Sequence, residues 1–458
     1  MPAFQDIPIV ARKPHCFGWL GTWFPATPKM AFAWSKSLTI FAFISASIFN
    51  TLGASSVSVS VREFGAKGDD AAPVTAAIQK AIDAVANSGG GEVLIPAGRY
   101  TSGSLTMKAH TTLRLEAGAV LMGSSNQDDY PVMHARWEGR ESDCRRALIS
   151  AGQAEDIAIT GAGIIEGNPA MGPLRNPRGP AVIEMTECGY IRIEGLTLKS
   201  RQMWTLHPTY CHDVRIAGVT FDTIGPNSDG IDPDSCQRVI IDGCTFTTGD
   251  DNIAIKSGKG QEGVRVGRPC EDILITNCTF IKDYTSVALG SELSGGIRRV
   301  RISHCTFKQG LAGRQLKSRA GRAGYVEDIT AEHLVIGPEP LLEIDNNYRY
   351  NADPQGVLGS NGLTLFKNIR ISDVAIASKY LTIEMDVSQN HVTGVSHDRT
   401  LLASASHPAY LQSLDWFFRC TIDVHIAGPP YFTNNVDGIG LAGSARLKEE
   451  PTQTKDSH

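Results

Sequence analysis

One short pattern recurs along the chain: a small residue, two polar residues, alternating apolar positions, a turn residue and a closing apolar pair. It reads Cys188-Gly-Tyr-Ile-Arg-Ile-Glu-Gly-Leu-Thr-Leu198, then Cys211-His-Asp-Val-Arg-Ile-Ala-Gly-Val-Thr-Phe221. It returns as Cys236-Gln-Arg-Val-Ile-Ile-Asp-Gly-Cys-Thr-Phe246 and Cys270-Glu-Asp-Ile-Leu-Ile-Thr-Asn-Cys-Thr-Phe280. A further copy is Ile297-Arg-Arg-Val-Arg-Ile-Ser-His-Cys-Thr-Phe307, and weaker ones lie at His110–Val120, Ala154–Ile164, Val326–Leu334 and Phe366–Val374. Each holds a short strand with period-two alternation, a Gly or Asn turn and a second short strand.

A strand this short cannot bury its face alone. Stacking coil on coil buries a continuous core and pairs every strand with the coils above and below. The pattern therefore predicts an all-β chain, a right-handed parallel β-helix. Leucine-rich repeats and propellers are the rivals, but the Leu-rich consensus is absent and no Trp-Asp pair closes a blade. The 46 glycines suit a chain full of tight turns. A solenoid needs capped ends. Val74 to Asn87 reads as an amphipathic helix with Val74, Ile78, Ala81, Ile82 and Val85 on one face, stopped by Gly89-Gly90-Gly91. It precedes the strand Glu92–Pro96 and is expected to cover the N-terminal end of the stack.

The catalytic β-helix domain is expected over 59–436. Residues 1–58 form a leader: Met30, Lys36 and the apolar stretch Leu38–Leu52 resemble a secretory signal, with cleavage within Ala46–Val59. The rival reading is a single membrane anchor, for which the stretch is short and rich in Ser. Export points to a secreted or periplasmic protein without stable membrane insertion. Residues 437–458 are polar or small and read as a disordered tail; 391–435 match no repeat clearly. The net charge of −5 gives no bulk attraction to nucleic acid. A polyanionic substrate would need local positive charge. The ten cysteines show no Cys-x-x-Cys pair, and those in the repeat read as buried fillers, with one or two disulfides as the alternative. A monomer is expected.

The densest acidic region is Asn227-Ser-Asp229-Gly-Ile-Asp232-Pro-Asp234, followed one coil later by Gly249-Asp250-Asp251. Stacked side by side, these carboxylates repel one another, so some must hold a proton more tightly. Hydrolysis of a glycosidic bond wants that condition: one protonated acid and one ionised base. Calcium binding or Asx turns are the other reading. Adjacent Asp250 and Asp251 point to opposite faces of a regular strand, so sharing a site requires Gly249 to bend the chain.

Asn-Ser-Asp-Gly-Ile-Asp followed by Gly-Asp-Asp-Asn-Ile-Ala-Ile-Lys-Ser-Gly resembles the polygalacturonases of glycoside hydrolase family 28. Phe64-Gly-Ala-Lys-Gly-Asp69, Trp204-Thr-Leu-His-Pro208, Gly290-Ser-Glu-Leu-Ser-Gly-Gly296 and Lys317-Ser-Arg319 with Gly321-Arg322 agree, so the resemblance runs from about residue 61 to 378. It implies hydrolysis of a pectic polysaccharide or oligogalacturonide with inversion and without metal or cofactor. By position, Asp250 is the general acid, and Asp229 and Asp251 hold and activate the water. Asn227, Lys256, Tyr284, Arg314, Lys317 and Arg319 are the candidate substrate-binding residues, with Lys317 pairing a substrate carboxylate.

Two departures bear on the substrate. Tyr284 stands where the family has a His, and a Tyr carries no positive charge at neutral pH. Arg314 stands one place before the family's Arg, the opposite face of a strand. Both widen the substrate choice to branched or rhamnose-containing pectin. His207 and Trp204 read as core or cleft, Glu292 as a hydrogen-bond partner, and Arg298, Arg299 and Arg301 as a solvated charge run. The sequon Asn277-Cys-Thr279 is discounted as lying inside a strand. A calcium-dependent lyase with Arg319 as base, and a non-catalytic glycan-binding β-helix, remain as the other readings.

Overall fold

The computed structural model describes residues 57–442 with short interruptions, among them 283–284, 309–311 and 403–409; beyond Ile369 it describes strand backbone only. The expected leader up to residue 56, with Met30 and most of the cleavage window, and residues 443–458 lie outside the described residues.

The chain folds as the right-handed parallel β-helix that the repeat predicts. A coil carries three strands, as in Gly189–Glu194, Thr197–Ser200 and Leu206–Thr209. The register stacks like on like. Ile191, Val214, Val239, Ile273, Val300, Ile329 and Ile369 pair in succession and all are buried. A second row runs Leu198, Phe221, Phe246, Phe280, Phe307, Ile336. Its rings stack with centroids 4.8, 5.1 and 4.7 Å apart. Burying each such ring from water on both sides is what a single coil cannot do.

The turn between these rows explains the repeat's Gly or Asn. Gly195, Gly218, Gly243, Asn277 and His304 occupy one equivalent position and all have φ between 54° and 78°. Glycine takes that left-handed conformation without cost, and Asn tolerates it. Asn277 is thus exposed in a turn, not inside a strand as expected. The repeat's second polar position (Asp213, Arg238, Asp272, Arg299) is also left-handed and makes a corner. There Arg238 pairs with Asp213, and Arg299 with Asp272, on the outer face. Arg298 and Arg301 join this outer charge ladder through Glu271 and Glu332.

The eight described cysteines are free and buried, which bears out the filler reading for them. Cys211, Cys236 and Cys270 each donate to a carbonyl of the preceding coil, those of Met185, Pro208 and Pro233.

The capping helix spans Thr75–Asn87 and buries Ile78, Ala81, Ile82 and Val85. Each larger side chain is worth about 1.5–3 kcal/mol of burial. One strand precedes it: Val57–Ser60 pairs with Gly91–Leu94, so paired structure begins two residues before the expected boundary at 59. At the other end, His391–Leu402 and Cys420–His425 extend the main ladder through the segment that matched no repeat. Ile439–Ala442 pairs with Cys420–Asp423, past the boundary expected at 436. Among the described residues no helix is long and apolar enough to cross a membrane.

An antiparallel hairpin, Val132–Trp137 and Arg140–Arg145, leaves the coil between Gly123 and Ile149. Arg178–Gly179 pairs with its second strand, and Leu174–Arg175 with Arg178–Gly179. This small sheet forms one wall of the cleft described next.

Candidate active site

The acidic motifs occupy the turns between the second and third strands of two successive coils. Ile231 bridges Leu206 on one side and Ile253 on the other, so Asp229 and Asp251 lie on adjacent coils in register. The coils touch closely here. A Cβ on Gly249 would lie 2.3 Å from Gly225 N and 2.4 Å from its oxygen; one on Gly230 would lie 2.4 Å from Asn252 O. Gly249 does not have a positive φ. The chain bends at Gly249 and Asp250 as expected, and Gly249 adds the close approach of the two coils. Asp250 and Asp251 share the cleft because residues 248–252 precede the strand that starts at Ile253 and escape its alternation.

The cleft has a volume of ≈ 770 Å³, and Asp229, Asp250 and Asp251 all line it. Asn227 sits there with φ 57°, and its backbone N–H donates to Asp250 Oδ2 at 2.8 Å. The N–H of Asp251 donates to Asp250 Oδ1 at 3.1 Å. Burial, then the charge of Asp251, raises the pKa of Asp250 above the usual carboxylate range despite these donors. Burial pushes Asp229 well above that range, with Asp232 and Asp250 adding to it. Asp232, fully buried behind Asp229, is pushed up to about 7 by burial, against the pull of Lys256 and His207. The predicted pressure of crowded carboxylates is therefore present.

Two lysines answer it. Lys317 donates to Asp251 Oδ1 at 2.8 Å and Oδ2 at 2.7 Å. The expected partner of Lys317 was a substrate carboxylate; here its ammonium holds a carboxylate of the site itself. Burial disfavours its charge, but Asp251 outweighs that and raises its pKa. Lys256 lies 3.4 Å from Asp232 and 3.5 Å from Glu292, with its ammonium 4.5 Å from the centre of the Trp204 ring. Burial works against Glu292 as an ion, yet Lys256, Arg322 and Lys259 bring it down to about 2. Glu292, expected as a hydrogen-bond partner, is the ion-pair partner of Lys256 and also lines the cleft. Among the described residues no three His, Cys, Asp or Glu side chains are grouped to hold a metal ion.

Of the remaining candidates, Trp204 lines the cleft and packs on Trp137 with centroids 4.1 Å apart. His207 is buried, 3.5 Å from Glu184 and 3.0 Å from Thr209 Oγ1, beside the cleft and not in it. Arg319 is half-buried and does not line the cleft. Arg314 pairs in register with Val287, but its side chain, like all of Tyr284, lies outside the described residues. The sequence reading missed Arg178, Glu138 and Tyr348, which line the cleft. Arg178 donates to Asn227 Oδ1 at 2.6 Å and lies 4.3 Å from the centre of the Trp137 ring. No repeat contains these residues, and no motif marks them.

The chain is similar to known proteins in sequence and in fold. The model of glycosyl hydrolases family 28 matches residues 87–410. A probable polygalacturonase of Vitis vinifera is 35% identical over 298 residues, 61% of this chain and 60% of that protein. An exo-poly-alpha-D-galacturonosidase of Dickeya chrysanthemi is 25% identical over 395 residues, 72% of this chain and 65% of that protein. The chain thus aligns with less than two thirds of the length of either relative. Among solved structures, a family 28 exopolygalacturonase of Yersinia enterocolitica superposes with a TM-score of 0.72 at 20% identity, covering 86% of this chain and 80% of that one. A hyperthermoactive exopolygalacturonase of Thermotoga maritima gives 0.66 at 23%, covering 85% and 92%. At these identities the structural likeness speaks for the fold. The family match, which spans more than half of the residues and both aspartate motifs, places the chain in glycosyl hydrolases family 28.

Proposed function

We propose that the chain hydrolyses α-1,4-linked galacturonate in a pectic polysaccharide or oligogalacturonide, with inversion at the anomeric carbon. One observation carries this reading: Asp229, Asp250 and Asp251 meet in one cleft, and burial raises the affinity of the first two for protons. Asp250 is the general acid. Its proton passes to the glycosidic oxygen as the bond to the anomeric carbon breaks. A water between Asp229 and Asp251 attacks the opposite face, and its proton passes to a carboxylate. The two residues divide the work. Asp229, which holds its proton tightly, orients the water, and Asp251, clamped by Lys317, is the base. Arg178, on the cleft beside Asn227, supplies local positive charge of the kind a polyanion needs in a protein of net charge −5, since Lys256 and Lys317 are committed to carboxylates of the site. A wall polymer outside the cell as substrate goes with the secreted or periplasmic location expected from the leader, and the chain acts as a monomer.

The test is release of reducing ends from polygalacturonate with chelator present. Wild type should release them without forming an ultraviolet-absorbing unsaturated product, and Asp250→Asn should lose at least about 100-fold, the scale of a missing general acid. Unsaturated product or a calcium requirement would replace this reading with a lyase. Binding without release would replace it with a lectin-like β-helix.

A further inference from the structure

The two buried lysines of the site are held in different ways. Lys317 gives its ammonium to one carboxylate, with contacts to Asp251 of 2.8 and 2.7 Å. Lys256 is shared. Its Nζ lies 3.4 Å from Asp232 Oδ1 and 3.5 Å from Glu292 Oε2, both longer than a charge-assisted hydrogen bond of about 2.7–2.9 Å. The face of Trp204, its ring centre 4.5 Å from the ammonium, helps to hold it between them. Lys256, Glu292 and Asp232 are all buried.

Glu292 pulls the lysine its way. Burial opposes its charge, but Lys256, Arg322 and Lys259 together secure it. Burial opposes the charge of Lys256 too, and Glu292 does most to offset that, ahead of Asp232 and Asp229. Asp232 is left with little. Apart from Asp229 in front of it, Asp232 has no hydrogen-bond partner among the described residues. Leu206 bridges Ile231 and Thr209 bridges Asp234, so His207 lies in register with Asp232 on the neighbouring coil. The ring of His207, however, is placed on Glu184 and Thr209. On the cleft side the charged neighbours are Asp250 and Asp251, both carboxylates, and Asp251 takes Lys317. A buried carboxyl with only a share of one cation favours its neutral form, and neighbouring carboxylates resist ionising together.

We propose that Glu292 draws Lys256 away from Asp232, and that this keeps Asp232 and Asp229 protonated while Lys317 keeps Asp251 ionised. Lys256 and Glu292 are thus positioning residues that act through Asp232. This rests on the hydrolase reading above, in which Asp229 orients the water with its proton in place and Asp251 is the base.

The experiment measures kcat on polygalacturonate and, separately, the urea midpoint, each as a function of pH, in wild type, Lys256→Met and Glu292→Gln. Met matches the stem of Lys256 and leaves Glu292 with Arg322 and Lys259, and Gln matches Glu292 in shape. Wild type should decline in both measurements on the alkaline side as carboxyls of the site ionise. Lys256→Met removes the cation and should move that alkaline limb up by about one pH unit or more. Glu292→Gln returns the lysine to Asp232 and should move it down by a similar amount, the scale on which a charge within about 4–6 Å acts on a carboxyl. Asp232→Asn in either background should remove most of the shift. Limbs that stay in place, or that move the same way in both variants, would overturn the proposal. So would a Lys256→Met enzyme whose KM rises while its limb is unmoved, because the lysine would then be a ligand of the substrate. If wild type releases no reducing ends, the hydrolase reading fails, and the urea curves still decide whether Glu292 and Lys256 govern Asp232.

Discussion

Lys317 holds both carboxylate oxygens of Asp251, at 2.8 and 2.7 Å, across 66 residues of sequence. Both side chains are nearly buried, at 3% and 7% exposure. Removing one partner of such a pair leaves an uncompensated buried charge and typically costs about 3–5 kcal/mol. Lys317→Ala should therefore lower the urea midpoint as well as kcat. Lys317→Met should do the same, because it restores the packing and not the charge. If the Met variant recovers stability and activity, Lys317 is a spacer and not the clamp on the base.

Gly249→Ala separates close approach from backbone freedom. The added methyl meets the backbone of Gly225, which cannot rotate away. The two loops that carry Asp229 and Asp250 must part by some tenths of an ångström or more. Misplacing catalytic groups by about 1 Å can cost roughly 100-fold in rate. We expect kcat to fall on that scale while circular dichroism of the β-helix is unchanged. A variant with wild-type kcat would show that the loops are compliant.

Phe246→Ala tests whether the core ladder supports the site. Phe246 stacks between Phe221 and Phe280, and Gly230 rests against its ring. Emptying the position should cost about 3–5 kcal/mol. Because Gly230 follows Asp229 directly, kcat should fall in addition to stability. Stability loss with intact kcat would uncouple the ladder from the aspartates.

The coils were legible because each is written locally. Period-two alternation marks Ile191–Ile193 or Val239–Ile241 as inward, and a single turn residue, such as Gly218 or Gly243, marks the corner. The aspartates were legible because the stack puts residues one coil apart side by side. What escaped was non-local. The hairpin Val132–Arg145 has no repeat behind it, and its burial comes from Asp234, Lys259 and Glu292, all far along the chain. Arg136 in isolation reads as a solvated charge; it is 4% exposed because Asp234 waits a hundred residues later. The bend at Gly249 was legible, but its close approach was not, since the backbone it touches belongs to the neighbouring coil. The partner of Lys317 is a fact of stacking that spacing alone does not reveal.

The buried acids also set how stability depends on pH, and their signs differ. Asp232 holds its proton up to about pH 7 in the fold, against an ordinary value of 3.8. The folded state therefore binds this proton more tightly than the unfolded chain, and stability falls as pH rises from about 4 to about 7. Glu292 moves the other way, from 4.5 down to about 2. Its contribution is complete above its ordinary value and is lost as pH falls toward 2. Each shift is worth on the order of 3–4 kcal/mol, and the two windows meet between pH 4 and 5. Asp229, raised by burial and by Asp232, adds to the alkaline loss. Urea midpoints taken from pH 3 to 8 should peak near that junction and decline on the alkaline side. Asp232→Asn cannot ionise, so it should flatten the alkaline decline while leaving the acid limb, which belongs to Glu292, in place. If the variant keeps the wild-type slope between pH 5 and 7, Asp232 is not the group that titrates there.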